Sequence, residues 1–414
     1  MPGRQGDLDL RHLDDAELAD FAELEGLVWG WPAHESRAAF YREFLEPEYS
    51  RGVFHRGRLV ATHGMTRLSL TVPGGQVIGA AGTTILAIHP AYRGRGLMTL
   101  LTRDAFALAR RSGREPVATG VPHHSRTHLR YGFGIAARHA TVRLALDGPR
   151  TLDGVTADGR IEYLTEPKEA LAALHEVATA LSGVRNGWIP RSPVADAYLY
   201  AAAGMAEAEY GPMALVVHRS PGGAVDGFLS YRRTSASDDY GRPSGALKVV
   251  ELLGTTAAAE AQLWLHCLAD PVVTRLSASR RPVADPVAAR LPDPRAWQQT
   301  VRDDMIAYLL DVPAALAARR YGREDRIRLA VADPDGSTGR YKLSGGLAAA
   351  SCEPTRGSPD LTLTASALAA AYLGDVAVTD LAARGEASEH TPGALRRMTA
   401  MFAWSPAPWI QDTF

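Results

Sequence analysis

Lysine is nearly missing from this chain of 414 residues: Lys168, Lys248 and Lys342 are three of its 45 basic side chains. A Gly-Lys-Ser/Thr phosphate loop therefore cannot occur, and nucleoside triphosphate hydrolysis by that route is excluded. Cysteine is just as scarce. Cys267 and Cys352 stand far apart, outside any CxxC pair or metal-spaced histidine set, which fits a reducing cytoplasm and not a disulfide framework. An excess of one charge is also absent. With 45 basic and 46 acidic residues the formal net charge is −1, so no overall basic field draws nucleic acid or an anionic membrane, and any phosphate site must be local. No apolar run approaches a membrane helix in length, and Met1–Asp15 is polar where a secretory leader would be basic and then apolar. A cytoplasmic protein with no nucleic-acid or membrane partner is expected.

What remains is an ordinary globular composition, 46% hydrophobic and 22% charged, and a length that at roughly 150 residues per domain gives two or three domains. Leu18, Phe21, Leu24 and Leu27 recur at helical spacing, a Trp29-Gly30-Trp31-Pro32 break follows, and a second helix is expected over Glu35–Phe44. Arg58–Leu70 and Val77–Ile88 read as strands joined through Val72-Pro73-Gly74-Gly75. From Pro90 the period changes. Leu97, Leu101, Ala105 and Leu108 mark a helix that Gly113 is placed to stop. The middle third repeats that order in weaker form, with strands near Ala214–His218, Phe228–Arg232 and Leu247–Leu253 and a helix from about Ala257 to Leu268. Its turn, Gly254-Thr255-Thr256, has no arginine and one glycine, so any anion cradle there is lost. After Pro292–Arg295 a separate α+β domain is expected, with Ile327, Leu329 and Val331 alternating, a strand at Leu361–Thr364 and a short helix capped by Ser366 and ended at Gly374.

Chemistry concentrates in Ile85 to Met98, where a strand ends, Arg93-Gly94-Arg95-Gly96 turns the chain and a helix begins. Glycines at a helix start let a ligand approach the backbone, the free amides and helix dipole attract an anion, and the two arginines add fixed positive charge. A pyrophosphate is the natural guest; a plain tight turn is the competing reading. A dinucleotide fingerprint fits less well, because Thr99 stands where the third glycine would be and no early βαβ unit precedes the turn, which disfavours a dehydrogenase. His123, His124 and His128 suggest a metal, since 124 and 128 would share a helix face. Pro122 and the polar run after it point instead to a loop, no HExxH occurs and no carboxylate or cysteine set completes a site. No metal is expected, and His123 and His124 are placed beside the ligand's phosphates.

Arg93, Gly96 and, less closely, Met98 resemble the Arg-x-x-Gly-x-small signature of GCN5-related N-acetyltransferases (GNATs). Thr71-Val72-Pro73-Gly74, Tyr131-Gly132-Phe133-Gly134, Asp311-Val312-Pro313-Ala314-Ala315-Leu316 and Ala371-Tyr372-Leu373-Gly374 extend the likeness, over nearly the whole chain, to the enhanced intracellular survival (Eis) acetyltransferases. The resemblance implies α/β and α+β architecture: a catalytic GNAT domain over 1–146 that binds acetyl-CoA, a degenerate GNAT-like domain over 147–300, and a sterol-carrier-like domain over 301–414. It also implies an acetyl-CoA-dependent N-acetyltransferase, assembled as a homohexamer, that acts on a primary amine of an aminoglycoside-like or polyamine-like small molecule or of a lysine side chain. Leu86, Ala87 and Ile88 would form the splayed strand along the pantetheine arm. Arg93, Gly94, Arg95, Gly96, Leu97, Met98 and Thr99 would hold the diphosphate.

Acyl transfer from a thioester to an amine needs a neutral amine, a path for its proton and an acid for the departing thiolate. By resemblance the base is the carboxylate of Phe414, and the acid is a tyrosine at the position that His128 fills here, with Tyr131 as a fallback. Met401, Phe402, Trp404, Trp409 and Ile410 make the tail too apolar to leave in water, so docking is expected. Glu25, Trp29 and Trp31, with Asp412 from the tail, resemble the family's acidic, aromatic acceptor wall, although Glu23 and Glu25 also suit a solvated helix face. The missing tyrosine motivates an alternative, a catalytically weak acyl-CoA or lipid-binding protein.

Overall fold

The computed structural model describes residues 8–30, 35–155, 159–196 and 211–411. They form two compact units, one of residues 8–137 and 304–408, the other of 138–303 and 409–411.

The first unit holds two sheets. A seven-stranded sheet runs in the order Leu8–His12, Arg51–His55, Arg58–Thr71, Val77–Ile88, Val117–Gly120, Ile306–Leu309, Gly134–Ile135. Its first four strands are antiparallel, and Val77–Ile88 then runs parallel to Val117–Gly120. The parallel step needs a crossover, which helix Leu97–Ser112 supplies. Leu97 and Leu101 anchor that helix against Val53, Val60 and Ala61, and Gly113, at φ +65°, ends it as its position suggested.

The second sheet of this unit has five strands in the order Ala350–Pro354, Thr338–Gly345, Asp325–Ala332, Leu361–Thr364, Ala387–Glu389. Helix Ala365–Ala371 follows, but its cap is Thr364, whose side chain accepts from the Ala367 amide. The expected cap, Ser366, instead donates to the Phe133 carbonyl 2.5 Å away. Helix Ala365–Ala371 approaches strand Gly134–Ile135 so closely that a Cβ at Gly134 would stand 2.5 Å from the Ala370 nitrogen. Only glycine fits there. Fully buried Arg319 donates to the carbonyls of Tyr372 and Phe402, tying these C-terminal segments together.

In the second unit the sheet order is Gln298–Asp303, Arg138–Ala145, Val273–Arg281, Gly245–Gly254, Val225–Arg233, Ala214–Arg219, Arg160–Leu164. Two strands therefore lie across the expected domain limits. Arg138–Ala145 precedes the limit at 146, yet its inward residues Ala140, Val142 and Leu144 fill the second unit's core. Ile306–Leu309 pairs with Val117–Gly120 and Gly134–Ile135 in the first unit. Inward-facing apolar side chains, not position in the chain, assign each strand to its sheet.

Candidate active site

The site begins as a fault in a strand pair. Arg58–Thr71 and Val77–Ile88 keep register until Thr62 pairs with Ala87 and Gly64 with Thr84, so one residue, His63, faces two, Ile85 and Leu86. Ile85 takes up the extra residue with φ +46°, a conformation strained for a β-branched side chain, and the Thr62 hydroxyl donates to its carbonyl at 3.3 Å. On its other edge this strand pairs with Val117–Gly120 only through Ala80, Ala81 and Gly82. The Thr83 hydroxyl closes the joint on the Thr119 carbonyl at 3.1 Å. Past it the strands part, and the backbone edge that carries Leu86, Ala87 and Ile88 is open to an extended, amide-bearing ligand. Ala87 is fully buried, so it can contribute only backbone.

The turn follows at once. His89 Nδ1 accepts from the Ala91 amide, Arg93 is extended, and Gly94 and Gly96 adopt φ +75° and +78°. A Cβ at either glycine would meet nothing within 4 Å. Their requirement is conformational, and the space in front of them is open. Gly96 occupies the cap position of helix Leu97–Ser112, 16 residues long, with no side-chain cap and no acidic residue in the first turn. Unsatisfied amides and the positive helix end therefore face that space. Arg93 is exposed; Arg95 folds over the Tyr92 ring at 4.8 Å and donates to the Ala91 carbonyl at 3.2 Å, so its charge stays on the turn. Leu97 is buried and offers backbone only, Met98 is half-buried, and the Thr99 hydroxyl bonds to that of Tyr131 at 2.9 Å.

Residues Ser125–Leu129 form a short helix where a loop is expected, because His128 and Leu129 carbonyls take up the Tyr131 and Gly132 amides as the chain turns. His123 and His124 are exposed just ahead of it. His128 is half-buried, edge-on to Phe133 at 5.8 Å. Burial pushes its imidazole down to about 4. It is therefore neutral at pH 7, which corrects the expected role of a standing imidazolium acid. Nearby, sequence reasoning overlooks His63, 3% exposed, whose Nδ1 has no hydrogen-bond partner among the described residues. Burial, and next the charge of His128, push it down to about 4 as well. A single histidine inside an apolar strand gives no sequence signal of this.

The acceptor wall is more closed than the resemblance implies. Glu25 lies on the buried face of helix Leu18–Trp29 with Leu18, Phe21 and Leu24, and is itself 3% exposed. The Tyr41 hydroxyl donates to its carboxylate and Arg37 stands 3.5 Å away. Burial raises its pKa despite both partners. Glu23 is exposed. Trp29 lies against His123 with ring centroids 4.5 Å apart. Trp31, Asp412 and Phe414 lie outside the described residues. Before them, Trp409 and Ile410 are buried.

The second unit has the same strand-turn-helix order and a filled site. Strand Gly245–Gly254 pairs in parallel with Val273–Arg281 only through Val249, and Arg281 Nη1 donates to the Leu252 carbonyl in the gap at 2.5 Å. Trp409 joins it, its ring 5.4 Å from that guanidinium and its indole N–H on the Arg280 carbonyl at 2.7 Å. At the helix start Thr256 accepts the Ala259 amide, and buried Glu260 occupies the space beside Gly254. A cap and a carboxylate stand where the first unit presents bare amides.

Residues 9–136 match the family model of an acetyltransferase (GNAT) domain, 187–319 match a second such domain, and 312–411 match a sterol carrier protein domain. A Streptomyces avermitilis protein described as an uncharacterized N-acetyltransferase is 33% identical, covering 99% of this chain and all of its own. The N-acetyltransferase Eis of Mycobacterium tuberculosis is 28% identical over 84% of this chain and 83% of its own. Among solved structures, Eis1 from Mycobacterium abscessus gives a TM-score of 0.84 at 25% identity, over 98% of this chain and 100% of that one. A GCN5-related N-acetyltransferase from Anabaena variabilis shares the fold, with a TM-score of 0.81 at 17% identity over the same shares. With two acetyltransferase domains, a sterol-carrier domain after them and a relative matched from end to end, the chain belongs to the Eis-like family of GCN5-related N-acetyltransferases.

Proposed function

We propose that the first unit takes acetyl-CoA as acyl donor and transfers its acetyl group to a primary amine of an aminoglycoside-like or polyamine-like molecule or of a lysine side chain. One observation carries the reading: of two equivalent strand-turn-helix units, the one starting at Gly96 has an open strand edge and uncapped amides, while the one at Gly254 is filled by Arg281, Glu260 and Trp409. The amides behind Gly96, with Arg93, would hold the diphosphate, and the backbone of Leu86–Ile88 would pair with the pantetheine amides. His123 and His124, exposed at the end of the cleft, would lie beside the phosphates.

An ammonium substrate gives up two protons. In this proposal the carboxylate of Phe414 takes the first, releasing a neutral amine that attacks the thioester carbonyl. His128, neutral and half-buried, takes the second from the nitrogen of the tetrahedral adduct and passes it to sulfur as the C–S bond breaks. An imidazolium formed in so apolar a place is a strong acid, which suits delivery to a thiolate. Assembly as a hexamer in the cytoplasm is part of the same proposal.

Thiol release from acetyl-CoA, followed across aminoglycosides, polyamines and lysine peptides, tests it. Amine-dependent release from at least one class is expected; silence with every amine, together with no binding of acetyl-CoA by calorimetry, overturns it.

A further inference from the structure

His63 is a buried polar side chain for which acyl transfer, as described so far, has no use. It stands on strand Arg58–Thr71 opposite the Ile85 bulge. The Cβ position of the next residue, Gly64, points at Leu45 and Phe21, so the pleat turns His63 to the opposite face, toward helix Leu97–Ser112. From that helix the Leu101 carbonyl and Asp104 face it, and from helix Ser125–Leu129 His128 does. Asp104 is already engaged by Arg51 Nε at 2.5 Å. His128 reaches the same helix by another route: its ring lies against Phe133, which packs on Phe106 at 5.4 Å.

A buried ring nitrogen without a partner costs roughly 1–3 kcal/mol. A neutral imidazole has one donor and one acceptor, so a bare Nδ1 with the Leu101 carbonyl nearby leaves Nδ1 as the acceptor. The lone pair calls for a donor, and the free protein supplies none among the described residues. Protonated His128 would be one.

We propose that His63 is the positioning residue for His128: its Nδ1 accepts one N–H of the imidazolium formed during turnover, orienting the other N–H toward the sulfur. Resting on the acetyl-transfer reading, this leaves the balance of atoms unchanged, since the proton leaves the amine nitrogen, rides on His128 and ends on sulfur. His63 neither gains nor loses one. The arrangement follows the nucleophile-base-orienter logic of catalytic triads, with a neutral ring in place of the usual carboxylate. A neutral orienter suits a buried site, where a carboxylate would make the proton too hard to release.

Two variants and two readouts test it. His63→Leu removes the acceptor, while His63→Asn keeps an oxygen near the position of Nδ1. In thiol-release assays His63→Leu should lower kcat by roughly ten- to a hundredfold with KM for acetyl-CoA unchanged, and His63→Asn should recover part of the loss. In nitrogen NMR of the full chain, the titration midpoint of His128 should fall further in His63→Leu. Equal kcat in all three proteins overturns the pairing, and so does a His128 midpoint that ignores the substitution. Should His63→Leu fail to fold, His63→Asn and the wild-type titration decide, because two rings that titrate independently refute the contact. Should wild-type protein release no thiol with any amine, the acetyl-transfer reading fails, while the NMR readout still judges the pairing.

Discussion

Trp29 and His123 meet ring to ring, centroids 4.5 Å apart and planes inclined by 33°. The contact joins the last turn of helix Leu18–Trp29 to the segment leading into His128, and so links a residue expected at the acceptor wall to one expected beside the phosphates. Such pairs contribute about 0.5–1.5 kcal/mol. Trp29→Ala should therefore raise KM for the amine and for acetyl-CoA together, by about two- to tenfold, and Trp29→Phe should keep most of both. Steady-state kinetics with each substrate varied in turn would expose a change confined to one of them, which contradicts the link.

Three glycines separate conformational need from crowding. Gly94 and Gly96 adopt positive φ in open space, whereas Gly134 is hemmed in by helix Ala365–Ala371. Gly96→Ala should cost about 1–2 kcal/mol of stability through φ alone and weaken acetyl-CoA binding by moving the amides. Gly134→Ala should cost more, because a backbone must shift. Thermal melts rank the two, and calorimetry with acetyl-CoA should find affinity lost in Gly96→Ala.

The histidines set an acid limit. His128 and His63 are each pushed down to about 4 from an unfolded value near 6.5. Between those values the unfolded chain binds more protons, so stability is full above about pH 6.5 and falls as the pH drops toward 4. For His63 alone the loss is roughly 3 kcal/mol. Melting temperatures from pH 7.5 to 4.5 should decline, less steeply in His63→Asn. Activity should show no inflection near 6.5 from His128, which is neutral on both sides of that pH. His128→Ala should lower kcat by about a hundredfold, and His128→Tyr, which restores the phenol implied by the resemblance, should retain activity. A wild-type limb at 6.5 that disappears in His128→Ala would contradict the buried, neutral ring.

The tail carries two separable predictions. Trp409 is 2% exposed and packs with Trp188 and Arg281 in the second unit, so Trp409→Ala should destabilise by about 3–5 kcal/mol. Deleting Phe414, or adding residues after it, should instead abolish turnover while acetyl-CoA still binds. Normal rates in either tail variant would remove Phe414 from the mechanism.

Much of this could be read along the chain. The helix-strand order, the Gly94 and Gly96 turn, the stop at Gly113 and the apolar tail all follow from local spacing and local conformational preference, which neighbouring residues carry between them. Even the loss of the second cradle was visible at Gly254, with one glycine and no arginine beside it. What fills it was not. Arg281 and Trp409 reach that gap from positions 29 and 157 residues away from Leu252, and no local pattern encodes such a meeting.

The same reason separates the rest. Period and turn chemistry sufficed for the elements and for the family. The sheet to which Arg138–Ala145 and Ile306–Leu309 belong, the capture of Glu25 by Tyr41, and the neutrality of His63 and His128 depend on distant side chains excluding water from one another. Burial is a property of the packed molecule, and desolvation moved these protons; two histidines that look like surface switches in the sequence become uncharged only when strand Arg58–Thr71 and helix Leu97–Ser112 close over them.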